Sequence, residues 1–318
     1  MKAIIIEKFG KSSQLKVAQI PTPRPSDHEV QIAIEFSSVN PVDWKILEGY
    51  LESYPHEFPL VLGWDAAGRI TKVGKHVREF KVGDDVFCYC RKPFLKWGTY
   101  AEYVCVDVSQ IAYKPKNISF AEAAAIPLVA LTAWQSLFDD GKLQRNEKVL
   151  IHAGAGGVGS MAIQLAKSAG AYVITTTSKK NAEYVKALGA DFIIDYTKER
   201  FTDQINEKFP EGIDLAFDTI GGEVCYENFQ VLKHNGRLVS ILEQFGLGEH
   251  KAPKGISCHY VFVEPNGREL QQIATLIEKG KIVPPKIEVM RLEEAARALE
   301  KSKTGHVAGK IVLNIHAA

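Results

Sequence analysis

Apolar and polar positions alternate between residues 30 and 36, where Val30, Ile32, Ile34 and Phe36 are separated by Gln31, Ala33 and Glu35. A period of two predicts a strand with one face buried. The preceding Pro21-Thr22-Pro23-Arg24-Pro25 reads as an extended connector, because proline has no N–H to give a sheet ladder. Further strands are expected at 67–73, 86–89 and 100–104, punctuated by Gly74, Gly83-Asp84-Asp85 and Gly98. The pattern changes at Ser119-Phe120-Ala121-Glu122, whose spacing is that of a capping box opening an alanine-rich helix. From Lys148 onward the two periods take turns. Strands are expected at 149–153, 172–177, 192–195, 213–217 and 237–241, and helices at 158–169, 182–188 and 224–232. Leu270, Ile273, Ala274 and Ile277 mark one face of another helix, Pro284-Pro285 breaks the chain, and a helix at 292–301 and a strand at 310–315 close it. Such alternation predicts an α/β fold with a parallel sheet covered by helices on both faces, preceded by a β-rich part.

Composition narrows the function classes. The 318 residues are 46% hydrophobic and 24% charged, the balance of an ordinary globular protein. Lysine plus arginine number 39 and aspartate plus glutamate 38, so charge gives no reason to expect a nucleic acid or an anionic membrane as partner. The apolar run at the start is too short for a signal peptide, and no stretch of about 18 apolar residues could span a bilayer. Five scattered cysteines argue against a disulfide framework, and a cytoplasmic location is expected.

The chemistry enters at Ala153-Gly154-Ala155-Gly156-Gly157-Val158-Gly159. The glycines at 154, 156 and 159 have G-x-G-x-x-G spacing, and they follow an apolar strand and open a helix, the context that gives the motif meaning. Gly154 permits a tight turn, Gly156 lets backbone approach a pyrophosphate, and Gly159 lets helix and strand pack closely. The free N–H groups of Gly157, Val158 and their neighbours then face the phosphates. The next strand ends in Thr175-Thr176-Thr177-Ser178-Lys179-Lys180, where an NAD enzyme usually carries an acid for the ribose hydroxyls. Ser178, Lys179 and Lys180 suit a 2′-phosphate instead, so NADPH is the expected cofactor. His152, on the strand before the glycines, reads as core.

With these motifs in view, the chain resembles the zinc-free quinone oxidoreductase branch of the medium-chain dehydrogenase/reductase superfamily along essentially its whole length. The residues that carry the resemblance are Ser38-Val39-Asn40-Pro41-Val42-Asp43-Trp44-Lys45, Gly63-Trp64-Asp65-Ala66-Ala67-Gly68, Val82-Gly83-Asp84-Asp85-Val86, Leu131-Thr132-Ala133-Trp134, the glycine motif, Leu188-Gly189-Ala190-Asp191 and Gly309-Lys310-Ile311-Val312-Leu313. The resemblance implies a GroES-like β-rich catalytic domain, residues 1–122 with 285–318, and a doubly wound Rossmann domain, residues 123–284, with the active-site cleft at their junction. It implies a homodimer or homotetramer. It also implies that Thr132 approaches the nicotinamide amide and Tyr196 the 2′-phosphate, with ordinary packing an equal reading of Tyr196.

Zinc alcohol dehydrogenases of that superfamily use the histidine of a Gly-His-Glu segment as a ligand. Here the segment is Gly63-Trp64-Asp65, and an indole cannot ligate zinc. No metal is expected, and Cys88 and Cys90 read as buried packing thiols. Without a Lewis acid to stabilise an alkoxide, the expected reaction is hydride transfer to an already activated acceptor, a quinone. The alternatives are reduction of an enone or enal, and a cofactor sensor or RNA- or protein-binding module without turnover. Asn40, Asp43, Lys45 and Tyr50 are the catalytic candidates. Asn40 is the donor to substrate or ribose, Lys45 or Tyr50 the donor to the acceptor oxygen, and Asp43 orients one of them. The competing reading makes Asn40-Pro41 a turn and Asp43 a helix cap.

Overall fold

The computed structural model describes residues 1–242 and 252–316. The chain divides into two units, Met1–Leu128 with Glu264–Ala318, and Val129–Val263.

The first unit is built around the strand Glu29–Ser38, whose apolar members Val30, Ile32 and Ile34 are fully buried. It pairs antiparallel with Asp65–Val73, with Tyr103–Asp107 and with Lys310–Asn314. The seven-stranded sheet continues outward through Asp85–Tyr89 and Ile111–Tyr113 on one side and Ile287–Arg291 on the other. The register sets Ser38 opposite both Asp65 and Val312. A smaller sheet joins Lys16–Gln19, Lys2–Ile6 and Leu60–Val61. Gln31, expected on an open face, is 2% exposed because the proline connector covers it and Pro23 takes its amide at 2.6 Å. The strand expected at 100–104 runs instead over Tyr103–Asp107. Tyr100 bonds Ile4 and Leu62, which draws that end of the segment to the smaller sheet. The capping box forms as read, with Glu122 accepting from the Ser119 N–H and Ser119 from the Glu122 N–H.

The second unit is a six-stranded sheet, entirely parallel, in the order Phe192–Asp195, Tyr172–Thr177, Lys148–Ile151, Ile213–Asp218, Leu232–Ser240, Ser257–Tyr260. This is the doubly wound order, which reverses between Lys148–Ile151 and Ile213–Asp218 and opens a crevice at their carboxyl ends. The central strands bury both faces: every residue of Ile213–Asp218 is buried, its apolar Leu215-Ala216-Phe217 between Asp214 and Asp218. Leu150, Ile174, Ala216 and Leu238 meet Phe201 and Ile205 of the helix Phe201–Lys208 in the core.

The division between units falls after Val263 rather than at Pro284-Pro285. The intervening helix Gly267–Glu278 belongs to the first unit because it packs on Ile111–Tyr113. A Cβ on Gly267 would sit 2.4 Å from the Ile111 carbonyl, and Gln271 accepts the Tyr113 N–H at 3.1 Å. The other division falls at Leu128/Val129, within the helix Pro127–Trp134.

Candidate active site

In the second unit the strand Lys148–Ile151 runs through His152 into a turn that starts the helix Gly157–Ser168. Ala153 opens the turn at φ 49°, a left-handed conformation that costs a residue with a Cβ roughly 1–2 kcal/mol. A Cβ on Gly154 would meet Thr175 Oγ1 at 2.1 Å, and one on Gly159 would meet the Ala153 carbonyl at 2.3 Å. Gly156 differs, since a Cβ there would have only the Ala153 carbonyl nearby, at 3.3 Å. Apart from that one tight contact nothing crowds Gly156, where the sequence expects a pyrophosphate. The N-cap residue Gly156 brings no side chain to cap the helix, and the N–H groups of its first turn, at Gly157, Val158 and Gly159, carry the partial positive charge that favours an anion. These features fit a dinucleotide.

The neighbouring strand Tyr172–Thr177 ends beside Phe192–Asp195, with Thr177 opposite Asp195. Ser178 and Tyr196 therefore follow adjacent strand ends, and Lys179 and Lys180 lie exposed in the turn after Ser178. Tyr196 is 55% exposed, so its ring is not part of the core. The nearby Asp195 carboxylate is taken up by the Thr197 hydroxyl at 2.7 Å, which holds it below the usual range. Thr132 is buried within the helix Pro127–Trp134. At the reversal of strand order, the buried Asp218 accepts from the Ile220 and Gly221 N–H groups and from Ser240 Oγ, fixing the loop that carries exposed Ile220.

The four catalytic candidates of the first unit separate into two groups. Asn40 and Asp43 are fully buried. The Asn40 carboxamide donates to Asp65 at 2.8 Å and accepts from Lys310, so it is not presented as a donor to substrate. Asp43 accepts the Asn40 N–H and the Tyr100 hydroxyl, both at 2.8 Å, and its other oxygen has no partner. It caps the helix Pro41–Leu47 from inside and orients neither Lys45 nor Tyr50. Lys310 also donates to the Val39 carbonyl at 2.7 Å and lies 3.9 Å from Asp65. Asp65 in turn accepts from Ser38 and from the Leu128 N–H. Burial pushes Asp65 up and pulls Lys310 down, and the charge of each opposes the shift of the other. Burial pushes Asp43 from 3.8 to about 7.

Lys45 and Tyr50 lie instead around Trp44. Tyr50 meets its ring edge-on at 5.9 Å, Lys45 lies 5.7 Å and Lys303 5.4 Å from its centre, and Tyr50 is 69% exposed. Partial burial pulls the Lys45 ammonium down.

Sequence reasoning missed Lys310, Tyr100 and the part played by Asp65. The signal for Lys310 was a charge opening an otherwise apolar strand, Lys310–Asn314. It also left His152 as plain core; the residue is 1% exposed, but it is bonded at both ring nitrogens.

Comparison with known proteins places this geometry. Residues 26–116 match the family described as "Alcohol dehydrogenase GroES-like domain" and residues 188–313 the one described as "Zinc-binding dehydrogenase". The chain is 32% identical to "NAD(P)H oxidoreductase RTN4IP1, mitochondrial" of Danio rerio, covering 99% of this chain and 91% of that protein. It is 35% identical to "NADPH-dependent alkenal/one oxidoreductase, chloroplastic" of Arabidopsis thaliana, over 98% of this chain and 79% of the other. It superposes on the quinone oxidoreductase of Coxiella burnetii with a TM-score of 0.86 at 33% identity, covering 99% of both chains.

One of these descriptions names zinc, and the residues do not fit it. Among the described residues no three histidine, cysteine or acidic side chains converge. Trp64 stands in the ligand segment, and the Asp65 and Asn40 oxygens already face the Lys310 ammonium. Cys88 and Cys90 are buried, Cys90 donates to the Trp64 carbonyl, and the Cys88 thiol is pushed well up, none of which suits a thiolate ligand.

Gly156→Ala binds a nicotinamide dinucleotide more weakly by about tenfold or more at a small cost in unfolding temperature, its Cβ meeting only the Ala153 carbonyl at 3.3 Å, whereas Gly159→Ala, whose Cβ would sit 2.3 Å from that carbonyl, lowers the unfolding temperature outright. Titration calorimetry and thermal unfolding of both variants check this. Asp43 gives the fold a pH dependence. Between pH 3.8 and about 7 it holds a proton in the fold that it has lost in the unfolded chain. Its contribution to stability is thus complete below that window and disappears as pH rises through about 7. Asp43→Asn removes that fall, and equal pH slopes for the two proteins in urea unfolding would count against the assignment.

Proposed function

Because the chain belongs to the quinone oxidoreductase and alkenal reductase branch of the medium-chain dehydrogenase/reductase superfamily, we propose that it reduces a quinone with NADPH, without a metal. It is an oxidoreductase with a nicotinamide cofactor, as its relatives are. Enone or enal reduction is the second reading, favoured by its likeness to the alkenal/one oxidoreductase.

The observation that carries the proposal is the lightly crowded Gly156 at the N-cap of the helix Gly157–Ser168, next to a strand end that offers Ser178, Lys179 and Lys180 instead of an acid. The N–H groups of Gly157, Val158 and Gly159 bind the pyrophosphate, and the Ser178 turn with Tyr196 binds the 2′-phosphate. Bound NADPH supplies a hydride. The protein must then provide hydrogen bonds and a proton to the acceptor oxygen as charge develops there. Lys45 and Tyr50 are the groups with a proton to give. The buried Asn40–Asp43–Asp65–Lys310 network serves them at one remove, by fixing the helix that carries Lys45.

In the assay that tests this, NADPH absorbance falls with a benzoquinone, a naphthoquinone or an enone after chelator treatment, at the untreated rate. Activity confined to a simple alcohol with NADP+ and abolished by chelation would defeat the proposal. Lys179→Glu combined with Lys180→Glu lowers kcat/KM with NADPH by about tenfold or more, the loss of two charge-assisted phosphate contacts, and leaves NADH nearly unchanged. An equal loss with both nucleotides would show that the turn does not read the 2′-phosphate.

A further inference from the structure

His152 is a buried side chain, bonded at both ring nitrogens, that the proposed reaction leaves unused. Each of its hydrogen bonds can be given a direction. Asn228 Nδ2 donates to the Val224 and Cys225 carbonyls, both at 3.0 Å, so the oxygen of that amide faces His152 Nε2 at 2.9 Å. An amide oxygen can only accept, and Nε2 therefore carries the hydrogen. Burial, the largest influence on the ring, holds it neutral, so Nδ1 is a bare acceptor, and Thr176 Oγ1 at 3.2 Å must donate to it. With its hydrogen so committed, Thr176 Oγ1 presents its lone pairs to the Ala153 N–H, also at 3.2 Å. The Thr176 carbonyl takes the next N–H, that of Gly154, at 3.0 Å. Thr176 thus grips the first two amides of the turn, and His152 sets the rotor of the hydroxyl that grips the first. Ala153 is where grip is needed, since its left-handed backbone is strained. The ring itself is wedged edge-on against Phe201 at 4.8 Å, and its own carbonyl accepts from Thr219 at 3.0 Å.

We infer that His152, as the Nε2–H tautomer, is a positioning residue that orients the Thr176 hydroxyl and thereby sets the dinucleotide turn at Ala153-Gly154. The inference rests on the proposed dinucleotide site and goes beyond it by naming the group that holds that site in shape.

The tautomer makes the test directional. His152→Asn puts an amide oxygen near the place of Nδ1 and keeps the acceptor for Thr176. His152→Gln reaches the place of Nε2 and keeps only the link to Asn228. NADPH affinity is read on the full chain from the change in nucleotide fluorescence on binding, with no acceptor present. His152→Asn stays within about threefold of the wild type, His152→Gln weakens NADPH about tenfold, and Thr176→Val weakens it as much, while His152→Gln with Thr176→Val is no worse than either alone. Thr176→Ser, which keeps the hydroxyl, binds as the wild type does. With any acceptor the protein turns over, kcat at saturating NADPH is unchanged throughout, the split expected of a residue that acts on the turn alone. Full affinity in His152→Gln, or equal losses in His152→Asn and His152→Gln, overturns the inference. Should His152→Gln not fold, Thr176→Val against Thr176→Ser decides it: equal affinities overturn it. A wild-type chain that binds no NADPH fails the underlying reading instead, and the inference falls with it.

Discussion

The start of the helix Gly157–Ser168 comes so close to the Ala153-Gly154 turn that no side-chain carbon fits at Gly159. Much of the second unit depends on that approach. It fixes where the first free N–H groups of the helix point, and it requires a strained residue at Ala153, which the neighbouring strand must brace through Thr176. It also places Gly156 at the carboxyl end of the sheet, near the reversal of strand order. An anion beside Gly156 meets a helix dipole and the first-turn amides together, an arrangement that needs no charged side chain.

The first unit meets a different constraint, a lysine in its interior. Burying an ammonium costs several kcal/mol unless oxygens surround it. Lys310 meets this with the Val39 carbonyl, the Asn40 amide oxygen and the Asp65 carboxylate. The same oxygens are then committed, which leaves them unavailable as metal ligands. Chemistry that relies on a Lewis acid to stabilise an alkoxide has no support from this donor set, whereas a conjugated acceptor asks only for hydrogen bonds and a proton.

The glycine motif was legible because its meaning is local: strand, turn and helix are consecutive in the chain, and the steric demands at Gly154 and Gly159 are those the spacing implies. The parallel sheet was legible for a similar reason, its strands being nearly unbroken apolar runs. The strand Ser257–Tyr260 escaped because an edge strand with the sequence Ser-Cys-His-Tyr has neither an apolar run nor a clear alternation. At Asn40 and Asp43 the local reading, a turn with Asp43 as helix cap, was legible and the cap forms, whereas their other partners are remote: Asp65 is 25 residues from Asn40, Tyr100 is 57 from Asp43, and Lys310 is 270 from Asn40. No local pattern reports a contact of that kind. His152 is the intermediate case, its burial readable from the strand and its bonds to Thr176 and Asn228 not.

The proposed function rests on direct hydride transfer from NADPH to a conjugated carbonyl with no metal taking part. The most direct measurement is a single-turnover reduction of that acceptor, after chelation, with NADPH or with NADPH deuterated at nicotinamide C4. Direct transfer without a metal makes deuteration slow the step and leaves it indifferent to chelation. A rate indifferent to deuterium with every acceptor, or one that chelation removes and zinc restores, would contradict it.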